Sequence, residues 1–145
     1  MREWDASPAE PVISIVDDDE SLRDALRRML SSYGFSAVAF ESAQHFLTAG
    51  QQNHTACVIL DVRMPEMSGI ALQEHLISAG HRIPVIMMTA CPTMGERNRA
   101  LANGAFSYLA KPLSEQLLLD TVRDALAHSA PILNTGVPEG ENPRN

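Results

Sequence analysis

Four short apolar runs each end on a side chain that could do chemistry. Val12 to Val16 lead to Asp17 and Asp18, Cys57 to Leu60 lead to Asp61, Ile83 to Met88 lead to Thr89, and Phe106 to Ala110 lead to Lys111. Brought together, three carboxylates, a hydroxyl and an ammonium would suit phosphoryl transfer. Clustered carboxylates repel one another unless something positive sits among them. Mg²⁺ fits that need, since it takes oxygen ligands and is commonly held by one or two carboxylates plus phosphate oxygens. The Thr89 hydroxyl and the Lys111 point charge could each take a phosphoryl oxygen, where the transition state spreads its negative charge. The nucleophile would be a carboxylate and the product an acyl phosphate. Asp61, on the central strand of the set, is the candidate acceptor.

Such a cluster forms only if the runs are parallel strands of one sheet. The interval from Asp61 to Thr89 matches one strand–helix–strand crossover, and that from Asp17 to Asp61 holds two short ones. Right-handed crossovers bring every strand in from the same side, so all carboxyl ends emerge at one edge, where open sheets bind ligands.

The intervening segments read as the required helices. Leu22, Ala25, Leu26, Met29 and Tyr33 recur at helical spacing before Gly34, a natural helix stop. Ser36 to Phe40 reads as a second strand, and Ser42 can cap a short helix carrying Ala43, Phe46 and Leu47 that ends near Gly50. Pro65 and Gly69 bracket a turn, Ser68 is an N-cap, and Leu72 and Leu76 give the next helix its apolar stripe before Gly80. Pro92 to Asn103 holds a polar helix that stops at Gly104, and Ser114 caps a last helix with Leu118, Val122, Ala125 and Leu126 inward. Five repeats of strand then helix predict a doubly wound α/β domain with a five-stranded parallel sheet.

Composition narrows the class. The 145 residues are 45% hydrophobic and 20% charged, which fits one domain with its own core. The expected organisation is a flexible N-terminal arm over 1–10, the folded domain over 11–129, and a flexible tail or linker start over 130–145, where Pro, Gly and Asn accumulate. A net charge of −7 is opposite to the basic footprint of a nucleic-acid binder. No run approaches the length of a membrane helix and the polar start does not resemble a signal peptide, so a cytoplasmic protein without membrane contact is expected. Cys57, inside a strand, and Cys91, in a loop, do not form a disulfide framework. His45, His54, His75, His81 and His128 show no ligand spacing.

Four strings now carry a resemblance. Val16-Asp17-Asp18-Asp19-Glu20, Leu60-Asp61-Val62-Arg63-Met64-Pro65-Glu66-Met67-Ser68-Gly69, Met88-Thr89-Ala90 and Tyr108-Leu109-Ala110-Lys111-Pro112 together resemble the receiver domain of two-component response regulators, closest to that of nitrogen-fixation-type transcription regulators. The resemblance spans about Pro11 to Ser129 and implies a (βα)5 flavodoxin-like receiver fold. It implies that Asp61 accepts phosphate from a phosphohistidine on a sensor histidine kinase, and that Asp18 and Asp61 bind Mg²⁺ with the backbone carbonyl of Arg63, while Asp17 holds a metal-bound water. Thr89 and Lys111 would bind phosphoryl oxygens, Thr89 and Tyr108 would form the switch, and Lys111-Pro112 would be a cis peptide. Catalysis would extend only to the chain's own phosphorylation and dephosphorylation. The output would be a changed surface on the fourth helix, fifth strand and fifth helix, which could form a homodimer. By the 3.6-residue period Leu117 lies about 120° from the centre of the last helix's apolar stripe, and it reads equally as an exposed group near that face or as core packing at the stripe's edge. Too few residues follow Ser129 for a helix-turn-helix unit, so a stand-alone receiver or a piece of a longer regulator is expected.

Other readings compete. Asp17, Asp18 and Asp19 could cap the first helix, and Asp19 has no further role to fill. Tyr108 reads as a core aromatic as readily as a switch. A haloacid-dehalogenase-like phosphohydrolase also uses an Asp nucleophile, Mg²⁺, a hydroxyl and a Lys, but needs a second acid two residues after the nucleophile, where Arg63 stands. A receiver-like scaffold that never takes phosphate would not need the complete set. Nucleotide enzymes are disfavoured, as neither G-x-x-x-x-G-K-[ST] nor G-x-G-x-x-G occurs.

Overall fold

The computed structural model describes residues 10–129, so residues 1–9 of the arm expected over 1–10 and the tail over 130–145 lie outside the described residues. Strands β1 (Val12–Val16), β2 (Ser36–Phe40), β3 (Cys57–Asp61), β4 (Val85–Thr89) and β5 (Ser107–Ala110) alternate with helices α1 (Glu20–Ser32), α2 (Ala43–Thr48), α3 (Gly69–Ser78), α4 (Met94–Ala102) and α5 (Glu115–Ser129). All pairings are parallel, in the order β2-β1-β3-β4-β5. This is the flavodoxin-like order of a doubly wound sheet, with its chain reversal beside β1 and β3.

Burial on both faces explains why β3 and β4 are continuous apolar runs rather than alternating ones. Val58, Leu60, Val85 and Met87 pack on one face with Phe46, Leu72, Leu76 and Ala100 of α2, α3 and α4. Cys57, Ile59, Ile86 and Met88 pack on the other with Leu26 and Leu30 of α1 and Leu118 and Val122 of α5. Burial pushes the Cys57 thiol up to about 12, which leaves it an inert core group. Both cysteines are free.

The helices start and stop where side chains satisfy their end groups. Asp19 accepts from the N–H groups of Ser21 and Leu22, Ser42 from His45, Ser68 from Ala71, and Ser114 from Leu117. Gly34 follows α1 at φ 89°, a left-handed position that glycine adopts without steric cost. The structure adjusts two expected details and adds one element. Strand β4 begins at Val85 rather than Ile83, because Pro84 has no N–H for the ladder, although its carbonyl accepts from Val58 at 3.0 Å. Strand β5 begins at Ser107 rather than Phe106, although the Phe106 N–H still reaches the Val85 carbonyl at 2.8 Å. A 3₁₀ turn over Gln51–His54, not foreseen from the sequence, carries the chain into β3.

Candidate phosphoacceptor site

The parallel ladders continue past the ends of the strands and align the reactive residues. Asp17 N–H donates to Phe40 O at 3.1 Å, Val62 N–H to Met88 O at 2.9 Å, and Lys111 N–H to Thr89 O at 2.8 Å. Asp61 pairs with Met88 and Thr89 with Ala110 in the register of the sheet. Asp17, Asp61, Thr89 and Lys111 therefore emerge at one edge from four adjacent strands, with Asp61 on β3, the central strand of the five.

Asp17 and Thr89 are fully buried and Asp61 is 4% exposed, whereas Asp18 faces solvent. One carboxylate oxygen from each of Asp17, Asp18 and Asp61 lies within 4.8 Å of the others, a set of hard oxygen donors able to hold a divalent cation. Lys111 Nζ donates to Asp17 Oδ2 at 2.9 Å and lies 3.5 Å from Asp61 Oδ1. Asp17 also accepts from the Asp19 N–H at 2.8 Å, and its carbonyl accepts from Arg23 at 2.8 Å. Desolvation raises the Asp61 pKa above the ordinary carboxylate range, and the neighbouring Asp17 charge adds to this. The Lys111 charge and the Arg63 N–H, 3.3 Å from Asp61 Oδ1, act in the opposite direction without cancelling it. Desolvation also opposes the Lys111 charge, but its hydrogen bond to Asp17 and the charges of both aspartates outweigh this and raise its pKa.

Two further residues named from the sequence make contacts away from this cluster. The Thr89 hydroxyl accepts from the Cys91 N–H at 3.1 Å. Tyr108 is half-buried, packed against the core that includes Val85 and Met87, and its hydroxyl reaches α4. There it accepts from the Thr93 N–H at 3.2 Å and lies 3.5 Å from Glu96 Oε1. Tyr108 thus has its ring at the core's margin and its polar tip on the helix beside the site. The peptide Lys111-Pro112 is cis. Leu117 is 47% exposed.

Several contributors escaped the sequence reading. Gly69, whose sequence context signals only a turn, starts α3 so close to β3 that a Cβ there would collide with the Asp61 carbonyl oxygen. Glu96 binds the Arg63 guanidinium at 3.1 Å. Arg99 donates to Glu74 at 2.9 and 3.0 Å, and the buried Gln73 donates to Ala100 O at 3.0 Å, tying α4 to α3. Thr93 and Glu96 form the T-x-x-E pattern of a capping box, a signal present in the sequence. A cleft of about 750 Å³ beside the site is lined by Arg63, Ser68, Thr93, Glu96 and Arg99 over Val62, Met64 and Ile70.

The fold and this acidic strand edge define a class, and the comparisons agree with it. Residues 13–123 match the response regulator receiver domain family, to which the chain belongs. The transcriptional regulatory protein TdiR of Thauera aromatica is 41% identical over 115 residues, which cover 79% of this chain and 51% of that protein. Nodulation protein W of Bradyrhizobium diazoefficiens is 37% identical over 111 residues, covering 77% of this chain and 49% of it. The chain spans about half the length of the curated relatives it matches. Among solved structures, the response regulator StyR superposes with a TM-score of 0.78 at 41% identity, covering 84% of this chain and 62% of that one. FixJ-N superposes with a TM-score of 0.76 at 28% identity, covering 86% of this chain and all of that one. The chain is a receiver domain of the response regulators of two-component systems.

Proposed function

We propose that this receiver takes a phosphoryl group from a sensor histidine kinase onto Asp61 and passes the change to the surface of α4, β5 and α5. The observation that carries the reading is the placement of Asp61. It ends the central strand with its carboxylate in a group of three and with Lys111 beside it. A carboxylate oxygen of Asp61 attacks phosphorus, the bond from phosphorus to the histidine nitrogen breaks, and the product is an acyl phosphate. Asp18, Asp61 and the Arg63 carbonyl would hold Mg²⁺, and Asp17 would hold one of its waters. The ion supplies charge neutralisation for the phosphoryl oxygens. Lys111 pairs with a phosphoryl oxygen and the Thr89 hydroxyl donates to another, which moves Thr89 away from the Cys91 N–H.

The expected chemistry stops at the chain's own phosphorylation and dephosphorylation. Arg63, rather than an acid, stands two residues after Asp61, and its guanidinium is engaged with Glu96. The domain itself makes no nucleic-acid contact in this reading, which its net charge of −7 favours. A cytoplasmic location fits a partner kinase, and among the described residues no helix is long and apolar enough to cross a membrane.

Incubation with Mg²⁺ and acetyl phosphate should add one phosphoryl group, seen by intact mass, and Asp61→Asn should abolish it because an amide is neither nucleophile nor anionic ligand. Equal labelling of the variant would overturn the assignment.

A further inference from the structure

The first turn of α4 carries a capping box that is only half closed. Thr93 Oγ1 accepts from the Glu96 N–H at 3.1 Å, which is one arm of the motif. In the other arm the Glu side chain would accept from the N–H of the capping residue. Here that N–H donates instead to the Tyr108 hydroxyl at 3.2 Å, and the Glu96 carboxylate is turned to the Arg63 guanidinium at 3.1 Å. Arg63 in turn has its backbone N–H on Asp61 Oδ1. One chain of contacts thus runs from the acceptor carboxylate through Arg63 and Glu96 to the end of α4.

We propose that Glu96 is a two-position residue. At rest its carboxylate holds Arg63 while Tyr108 occupies the Thr93 N–H; in the switched state it closes the capping box on that N–H, freeing Arg63 and replacing Tyr108. The inference rests on the phosphoacceptor reading of Asp61 and deepens it by naming the contact that opposes the switch.

Three observations support the exchange. A phosphoryl group at Asp61 adds about −1.5 to −2 of charge next to Arg63, giving the guanidinium a competing anion. The Arg63–Glu96 pair is half exposed, with side-chain exposures of 52% and 26%, so exchanging it is inexpensive. The Thr93 N–H also keeps a partner in both states, because it passes from the tyrosine oxygen to the glutamate oxygen without being left unsatisfied. The rest of α4 cannot follow freely. Arg99 is held by Glu74 through two bonds, and Asn103 donates to Glu74 at 3.0 Å. The exchange is therefore confined to the first turn, which contains Gly95.

Two substitutions at Glu96 separate this exchange from a simple effect of charge. Glutamine can close a capping box but cannot form the ion pair, whereas alanine can do neither. With beryllofluoride and Mg²⁺ as the probe, Glu96→Gln should bind roughly three- to five-fold more tightly than the native chain, the loss of one exposed ion pair from the resting state. Glu96→Ala should stay near native affinity, since it loses a contact in each state. Amide exchange at Thr93 in the saturated protein gives a second reading: protected in the native chain and in Glu96→Gln, faster in Glu96→Ala. Equal affinity gains in the two variants, with Thr93 equally protected in both, would overturn the exchange and leave only a charge effect. Failure of the native chain to bind beryllofluoride at all would instead overturn the phosphoacceptor reading on which it rests.

Discussion

Asp61 sits where its charge is partly opposed, with burial and Asp17 on one side and Lys111 and the Arg63 N–H on the other. The sign of the consequence follows from the upward shift. A carboxyl whose pKa is higher in the fold than in the unfolded chain contributes stability that is complete below the unfolded value and is lost as pH rises through the folded value. Ionisation of Asp61 therefore lowers stability. Asp61→Asn should raise the thermal midpoint by a few degrees at pH 7 without metal, and this advantage should shrink as pH falls through the folded pKa and the native carboxyl protonates. Adding Mg²⁺ at pH 7 should stabilise the native chain more than the variant, because only the native chain keeps the acidic set whole. Circular dichroism melts across pH test this, and a lower midpoint for the variant at pH 7 would contradict it.

At the scale of elements, the site depends on how closely α3 approaches the end of β3. Gly69 N–H donates to Val62 O at 2.9 Å, and a Cβ on Gly69 would lie 3.0 Å from Val62 Cα as well as striking the Asp61 carbonyl. Both obstacles are backbone atoms, which cannot rotate away. Gly69→Ala should therefore cost about 1–3 kcal/mol in urea unfolding, the usual scale of overpacking, and should also slow labelling by acetyl phosphate through displacement of Asp61. Native stability with native labelling would show that α3 can retreat. Helix ends were the most legible elements, because Asp19, Ser42, Ser68 and Ser114 are short polar side chains just before apolar periodicity. The tie of α4 to α3 was not legible. Gln73, Glu74, Arg99 and Asn103 look like an ordinary polar surface until the crossover sets the two helices side by side.

At the scale of the whole molecule, the proposed output is a surface that changes its affinity. Leu117 on α5 and Met94 on α4 are 47% and 67% exposed, and Tyr108 of β5 bonds to the first turn of α4. If this face forms a homodimer on phosphorylation, beryllofluoride with Mg²⁺ should raise the sedimenting mass. Leu117→Asp should then suppress the association while leaving binding of the mimic intact, since Leu117 is not among the residues proposed to hold it. A monomer under saturating mimic would exclude this output.

The sequence by itself determined the strand and helix order, because buried parallel strands require continuous apolar runs and crossovers of the observed length. It also placed Asp17, Asp18, Asp61, Thr89 and Lys111 at strand ends, which a common strand direction turns into one edge. Only the tertiary structure decided the partners. The Lys111 ammonium on Asp17, the Tyr108 hydroxyl on the Thr93 N–H and Glu96 on Arg63 join residues far apart in the chain. Such contacts depend on how far each strand extends and how each helix rotates on the sheet. Local sequence periodicity fixes which face a helix buries, but not which neighbour its polar side chains then meet.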